Sequence, residues 1–247
     1  MASLVPDRTG GLLYRPYILE EEIDWECETF LRNFLQLTTE ASLPVPLSTD
    51  FLTIAIEAYA ERLDLYADMG ADLEGLTEIS ANTAPVVRIN SLLSTAYHSE
   101  NRLRSTLAHE FYHLYFHAPL YRERLKQMDL FDRPIEKIAC RRETILQGKS
   151  MDWREWQAAY SAGALLMPIS VLRQVLHKQC AIYGPPPYVA NSGMALSAVS
   201  LVASRFAVSR EAATVRLWQK GFLRRLADGQ QLELSGSEEA PTLRTDA

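Results

Sequence analysis

The stretch TLAHEFYHLYFH, residues 106–117, places His109, His113 and His117 four residues apart, with Glu110 directly after the first. On an α-helix, positions i and i+4 lie one above the other on one face. His109 and His113 can therefore reach one ion at about 2.0–2.1 Å, the usual zinc–nitrogen distance. Glu110 lies about 100° around the helix. From there its carboxylate can approach a metal-bound water without displacing it. Two ligands and a general base at this spacing make the HExxH arrangement.

The rival reading is an aromatic core helix, in which Phe111, Tyr112, Tyr115 and Phe116 pack and the histidines are incidental. Burying two imidazoles one turn apart, with a glutamate beside the first, is costly unless they have a partner. His117 is a different case. In a straight α-helix it drifts about 80° off the ligand face. It reads either as a residue behind the ligands or in a lid, or as an ordinary core or surface histidine. The longer HExxHxxGxxH pattern is not formed, because Phe116 stands at its glycine and Pro119 at its third histidine.

A catalytic zinc usually takes three protein ligands and keeps one position open. The third must come from another element. Glu155, in DWREWQAAYSAGALLMP, heads a helix whose next positions are the small Ala158, Ala159 and Ala162. Small residues let that helix approach the motif helix. Asp152 and Glu155 also have the spacing of a capping box, in which Glu155 would only bond back to the helix start. Both readings stand at this level.

The rest of the chain reads as mixed α+β. Helices are expected at 18–37, 49–63, 100–117 (ended by Pro119), 153–166 and, after Pro168, through ISVLRQVLHKQC. Short segments LDLYAD, LEGLTEIS and PVVRINSLL predict a small sheet. Residues 1–11 read as a loose tail and 119–151 as charged and irregular, with a short helix in the middle. MALSAVSLVASRF, AVS and REAATVRLWQKGFL read as helix, tight turn and helix, with Gly221 as the C-terminal cap. That gives a main domain at 12–180, a helix-turn-helix-like segment at 193–227 and a disordered tail at 228–247.

Net charge is −6, which argues against wholesale binding to a phosphate backbone. Arg205, Arg210, Arg216 and Lys220 would support DNA binding only if they shared one exposed face; packing or partner docking is the expectation. The three cysteines, Cys27, Cys140 and Cys180, are far apart and odd in number, as in a reduced compartment. No secretory signal or membrane-spanning run is expected, so the expected location is cytoplasmic. Cys140 could approach the metal as an inhibitory thiol or be an inert buried cysteine. Arg102 and Arg104 should anchor the motif helix. Tyr112 and Tyr160 are candidates to hold a reaction oxyanion.

RLRSTLAHEFYHLYFH followed by DWREWQAAYSAGALLMP resembles the ImmA/IrrE-type metallopeptidases, over roughly residues 15–225. The resemblance implies a zincin-like domain holding one zinc. It makes His109 and His113 ligands, Glu110 the catalytic base and Glu155 the third ligand. It also implies a protein substrate, a DNA-binding helix-turn-helix repressor whose cleavage releases its genes. The chain departs from the family pattern at Tyr112, where glycine is usual, at Ala159, where asparagine is usual, and in the 42 residues from His113 to Glu155. The rival function is a non-enzymatic, metal-containing regulator that binds a repressor or DNA. A purely structural metal, however, has no use for Glu110.

Overall fold

Between residues 62 and 90 the chain alternates apolar and polar side chains, and it forms three strands there: β3 (Arg62–Ala67), β4 (Leu73–Ile79) and β5 (Val86–Asn90). The computed structural model describes residues 3–7, 12–95, 100–128, 135–141 and 152–225. β1 (Ser3–Pro6) and β2 (Tyr14–Tyr17) form an antiparallel pair, so a strand replaces part of the expected loose tail. The 228–247 tail lies outside the described residues.

The main sheet has the order β3-β5-β4-β6, and its edge strand β6 (Glu136–Arg141) lay hidden in the stretch read as irregular. Its signal was the alternation that buries Ile138 and Cys140 and leaves their neighbours less buried. β3 runs parallel to β5, and β4 is antiparallel to both β5 and β6. Gly75 is paired with Cys140 and Thr77 with Ile138. Directly opposed residues share a face, so Gly75, Thr77, Ile138 and Cys140 point to the same side.

That face receives the motif helix. α4 (Glu100–Tyr112) continues through a π-helical turn (His113–His117) into α5 (Ala118–Met128). The helix was expected to stop at Pro119, and it does not. Ala118 N–H bonds to the His113 carbonyl five residues back. Pro119 has no N–H to give and sits at the start of a new α-helical stretch, where none is needed. Farther along the same face, Ile79 and Ile138 pack with Ala118, Tyr121 and Leu125.

The remaining helices close the other sides. α1 (Glu20–Phe34) buries Ile23, Cys27, Phe30 and Leu31, a stripe at helical spacing. α2 (Thr49–Glu57) is capped by Ser48, which accepts from Phe51 N–H, and ends sooner than expected because Arg62 already begins β3. α6 (Trp153–Leu166) lays the buried Ala158 and Ala162 in the core beside α4. α7 is Ile169–Tyr183, α8 Gly193–Phe206 and α9 Arg210–Gln219. A short parallel pair, β7 (Tyr188–Val189) and β8 (Leu223–Arg224), follows α7 and α9. α3 (Ser91–Thr95) is a single turn after β5.

The two C-terminal helices pack into the main core. Val199, Val202, Phe206, Ala213 and Leu217 belong to the same core as the motif helix. Arg104 donates to the carbonyls of Phe206 and Ala207 at the α8–α9 turn, where Ala207 is left-handed (φ 49). Arg102 pairs with Glu74. Arg216 is buried against Asp24 of α1, and Lys220 reaches the same carboxylate at 2.7 Å. Two of the four cations proposed for a DNA-binding face are thus spent inside the protein. Among the described residues no single helix is long and apolar enough to cross a membrane.

Asp24→Ala leaves the Arg216 charge buried without its carboxylate. It is expected to cost about 3–5 kcal/mol of stability, read as a lowered denaturant midpoint. Asp24→Ala combined with Arg216→Met should recover much of that loss.

Candidate metal centre

The last turn of α4 carries His109 and Glu110, and the π turn opens on His113. The two Nε2 atoms are 2.9 Å apart. Glu155, in the first turn of α6, faces both, with Oε2 at 3.3 Å from His109 Nε2 and Oε1 at 3.2 Å from His113 Nε2. A tetrahedral ion with bonds of about 2.0–2.2 Å spaces its ligand atoms roughly 3.3–3.6 Å apart. The three donors are therefore gathered to the scale of one ion.

Among the described residues, neither Glu155 oxygen has a hydrogen-bond partner, although both are buried. The capping-box alternative is not taken: Asp152 alone caps α6, accepting from Arg154 N–H at 2.9 Å. A buried carboxylate turned to two imidazole nitrogens at 3.2 and 3.3 Å is the set a divalent cation satisfies. The residues fit a metal.

Burial alone would push the Glu155 carboxyl up, but the His113 and His109 rings hold it well below the usual carboxylate range. Burial lowers His113 against the pull of Glu155, which favours the neutral ring that a metal ligand must be.

Behind His113 lies a relay. His113 Nδ1 is 2.9 Å from His117 Nδ1, and His117 Nε2 is 3.0 Å from Gln157 Oε1. The π turn brings His117 back toward the site, where a regular helix would have carried it away. A ring that offers Nε2 to a cation carries its proton on Nδ1. His113 would then donate to His117, which in turn donates to the Gln157 carbonyl. Burial, and next the neighbouring His113, lower His117 well below its ordinary value. No proton need be added to keep the chain intact.

Glu110 is fully buried on the sheet. Its Oε2 accepts from Thr77 Oγ1 at 2.6 Å, and its Oε1 is unpartnered among the described residues. Gly75 makes the room: a Cβ there would meet Glu110 Oε1 at 2.3 Å and its Cδ at 2.7 Å. Burial pushes the Glu110 carboxyl well up, the Thr77 bond opposes this, and the Glu155 charge adds to it. Glu74, beside Gly75, turns toward α4 as well, accepting from Thr106 Oγ1 at 3.1 Å. It can do so because the β4–β6 register slips between Leu73 and Gly75, and such a bulge re-aims a side chain.

The two candidate tyrosines are not brought to the donors. The Tyr112 ring stacks on Phe116 at 4.4 Å, and its buried hydroxyl lies toward Cys27 and Glu26 of α1. The Tyr160 hydroxyl lies 3.1 Å from Asp24 Oδ2 and 3.2 Å from Lys220 Nζ. Gly75, Thr77 and Gln157 are functional candidates that sequence reasoning missed. A glycine inside a strand signals close approach by another group, which was the one legible hint.

A mixed helix–sheet domain with a buried HExxH helix and a carboxylate from a later helix is built as a metal-dependent peptidase. The family described as the IrrE N-terminal-like domain, a peptidase family, matches residues 65–217, more than half of the 247 residues. The chain belongs to that family. The match includes every donor named above. A comparison with curated proteins finds no match.

Two outcomes follow. Gly75→Ala should cost about 1–3 kcal/mol by overpacking when Glu110 is present, and distinctly less in a Glu110→Ala background, as measured by a double-mutant cycle of thermal or denaturant unfolding. Gln157→Leu should weaken metal retention about 10–100-fold with the fold kept, as read by competition with a chelator.

Proposed function

We propose that the protein is a zinc-dependent endopeptidase of the cytoplasm whose substrate is a DNA-binding repressor. The observation that carries the catalytic part is the placement of Glu110 beside three donors that face one point. His109, His113 and Glu155 would hold the ion. A zinc bound there polarises a water and the peptide carbonyl it attacks.

The chain's own groups do the rest. Thr77 anchors one Glu110 oxygen and leaves the other without a partner. That free oxygen can take the proton of the attacking water and pass it to the leaving amine. The burial that pushes the Glu110 carboxyl up also makes it a stronger base than an exposed carboxylate. The Gln157–His117 relay holds the His113 ring in the tautomer that leaves Nε2 free. A non-enzymatic regulator would need the ligands but not Glu110, and it would not need Gly75 and Thr77 arranged around that carboxylate.

The repressor as substrate rests on the family resemblance. The cytoplasmic location is in keeping with three cysteines that are all free. The use of Arg216 and Lys220 inside the fold favours action on a protein over direct DNA binding.

Metal content by mass spectrometry should give one zinc per wild-type chain, largely lost in His113→Ala and in Glu155→Ala. Glu110→Gln should keep its zinc and lose about 10²–10⁴ of the hydrolysis rate. It should then trap the repressor uncut. Absence of zinc from wild type after metal is added back would sink the peptidase reading.

A further inference from the structure

We propose that the Cys140 thiolate is a fourth protein ligand to the metal held by His109, His113 and Glu155, and that it closes the site at rest. This rests on the metal-centre reading above and deepens it.

Position comes first. Cys140 stands on edge strand β6 directly opposite Gly75, so it shares the sheet face that holds Glu110. Its Sγ, one nitrogen of His109 and one carboxylate oxygen of Glu155 all lie within 4.8 Å of one another. A zinc–sulfur bond of about 2.3 Å beside a zinc–nitrogen bond of about 2.0–2.1 Å sets the two ligand atoms roughly 3.6 Å apart. The thiol thus stands beside two of the three donors, His109 and Glu155; His113 is not part of that group.

Burial points the same way. Cys140 is fully enclosed, and the unpartnered oxygens beside it, both of Glu155 and Oε1 of Glu110, are buried as well. These orphaned acceptors are an independent sign that the space between β6, α4 and α6 is built for a cation. The other two cysteines are engaged elsewhere. Cys27 lies 3.9 Å from the Ser161 carbonyl, and Cys180 lies 3.8 Å from the Tyr188 hydroxyl.

Chemistry supplies the consequence. Thiolate and imidazole are both normal zinc ligands, and a site with four protein ligands is closed, whereas a catalytic one keeps a position for water. As the metal–sulfur bond forms, the S–H bond breaks and its proton leaves to solvent. Replacement of sulfur by water reverses this and returns a proton to the thiol. Hydrolysis would then wait on displacement of Cys140, and the β6 edge becomes the control point of the enzyme.

Cobalt(II) is the probe, loaded into the full chain. Wild type should show the visible bands of tetrahedral cobalt and a sulfur-to-cobalt charge-transfer band in the near ultraviolet. The Cys27→Ala, Cys180→Ala chain, in which Cys140 is the sole cysteine, should show both without any change at the site. Cys140→Ala and Cys140→Ser should lose the charge-transfer band and keep the visible bands. Cobalt bound in a His113-dependent way with no charge-transfer band in wild type would overturn the proposal and leave the three-ligand peptidase standing. Persistence of that band in Cys140→Ser would overturn it too. Failure of wild type to bind cobalt at all would remove both readings.

Discussion

The interior of this protein encloses groups that water normally solvates: His109, His113 and Glu110 are 0% exposed, and His117 and Glu155 nearly so. Such groups cannot be left uncompensated in a low-dielectric core. Each neighbouring element answers that demand. β4 gives up a side chain at Gly75 and supplies a donor at Thr77. α6 sends Glu155 to the His109 and His113 rings and, farther along the helix, Gln157 to His117. The demand that remains, at the Glu155 oxygens, is the one a divalent ion meets.

Two local departures from regular geometry make this arrangement reachable. The π turn at His113–His117 rotates His117 toward His113 and lets the chain run on through Pro119. The slipped register between Leu73 and Gly75 turns Glu74 to the motif helix, where it meets Thr106 and Arg102. Both irregularities sit within a turn or a residue pair of the donors. π turns and bulges are frequent at functional sites for the same reason: they re-aim side chains that a regular repeat would misplace.

Rigidity reaches the site from the far side of the molecule. Arg104 ties the motif helix to the α8–α9 turn, and Arg216 and Lys220 tie α9 to Asp24 of α1. α1 in turn packs Phe30 against Phe111, with ring centroids 4.5 Å apart. The aromatic residues of the motif helix thus form its structural face, while its histidines form the face of the candidate metal centre. The two readings of TLAHEFYHLYFH are opposite sides of one helix.

The sequence by itself determined the candidate ligand pair, the candidate base, the helix that carries them and the family, because those depend on spacing along one helix and on short-range motifs. Glu155 as the proposed third ligand was legible only through its company with the small residues of α6 and the family pattern. Tertiary structure decided the rest. Whether Glu155 capped its own helix or faced the histidines depended on what α4 brought near it. The edge strand β6, the cradle at Gly75, the anchor at Thr77 and the approach of Cys140 depend on strand pairing between residues more than sixty positions apart. The exclusion of Tyr112 and Tyr160 from the donors depends on which side of each helix met α1. Local periodicity fixes which residues share a face, but only packing decides what that face meets.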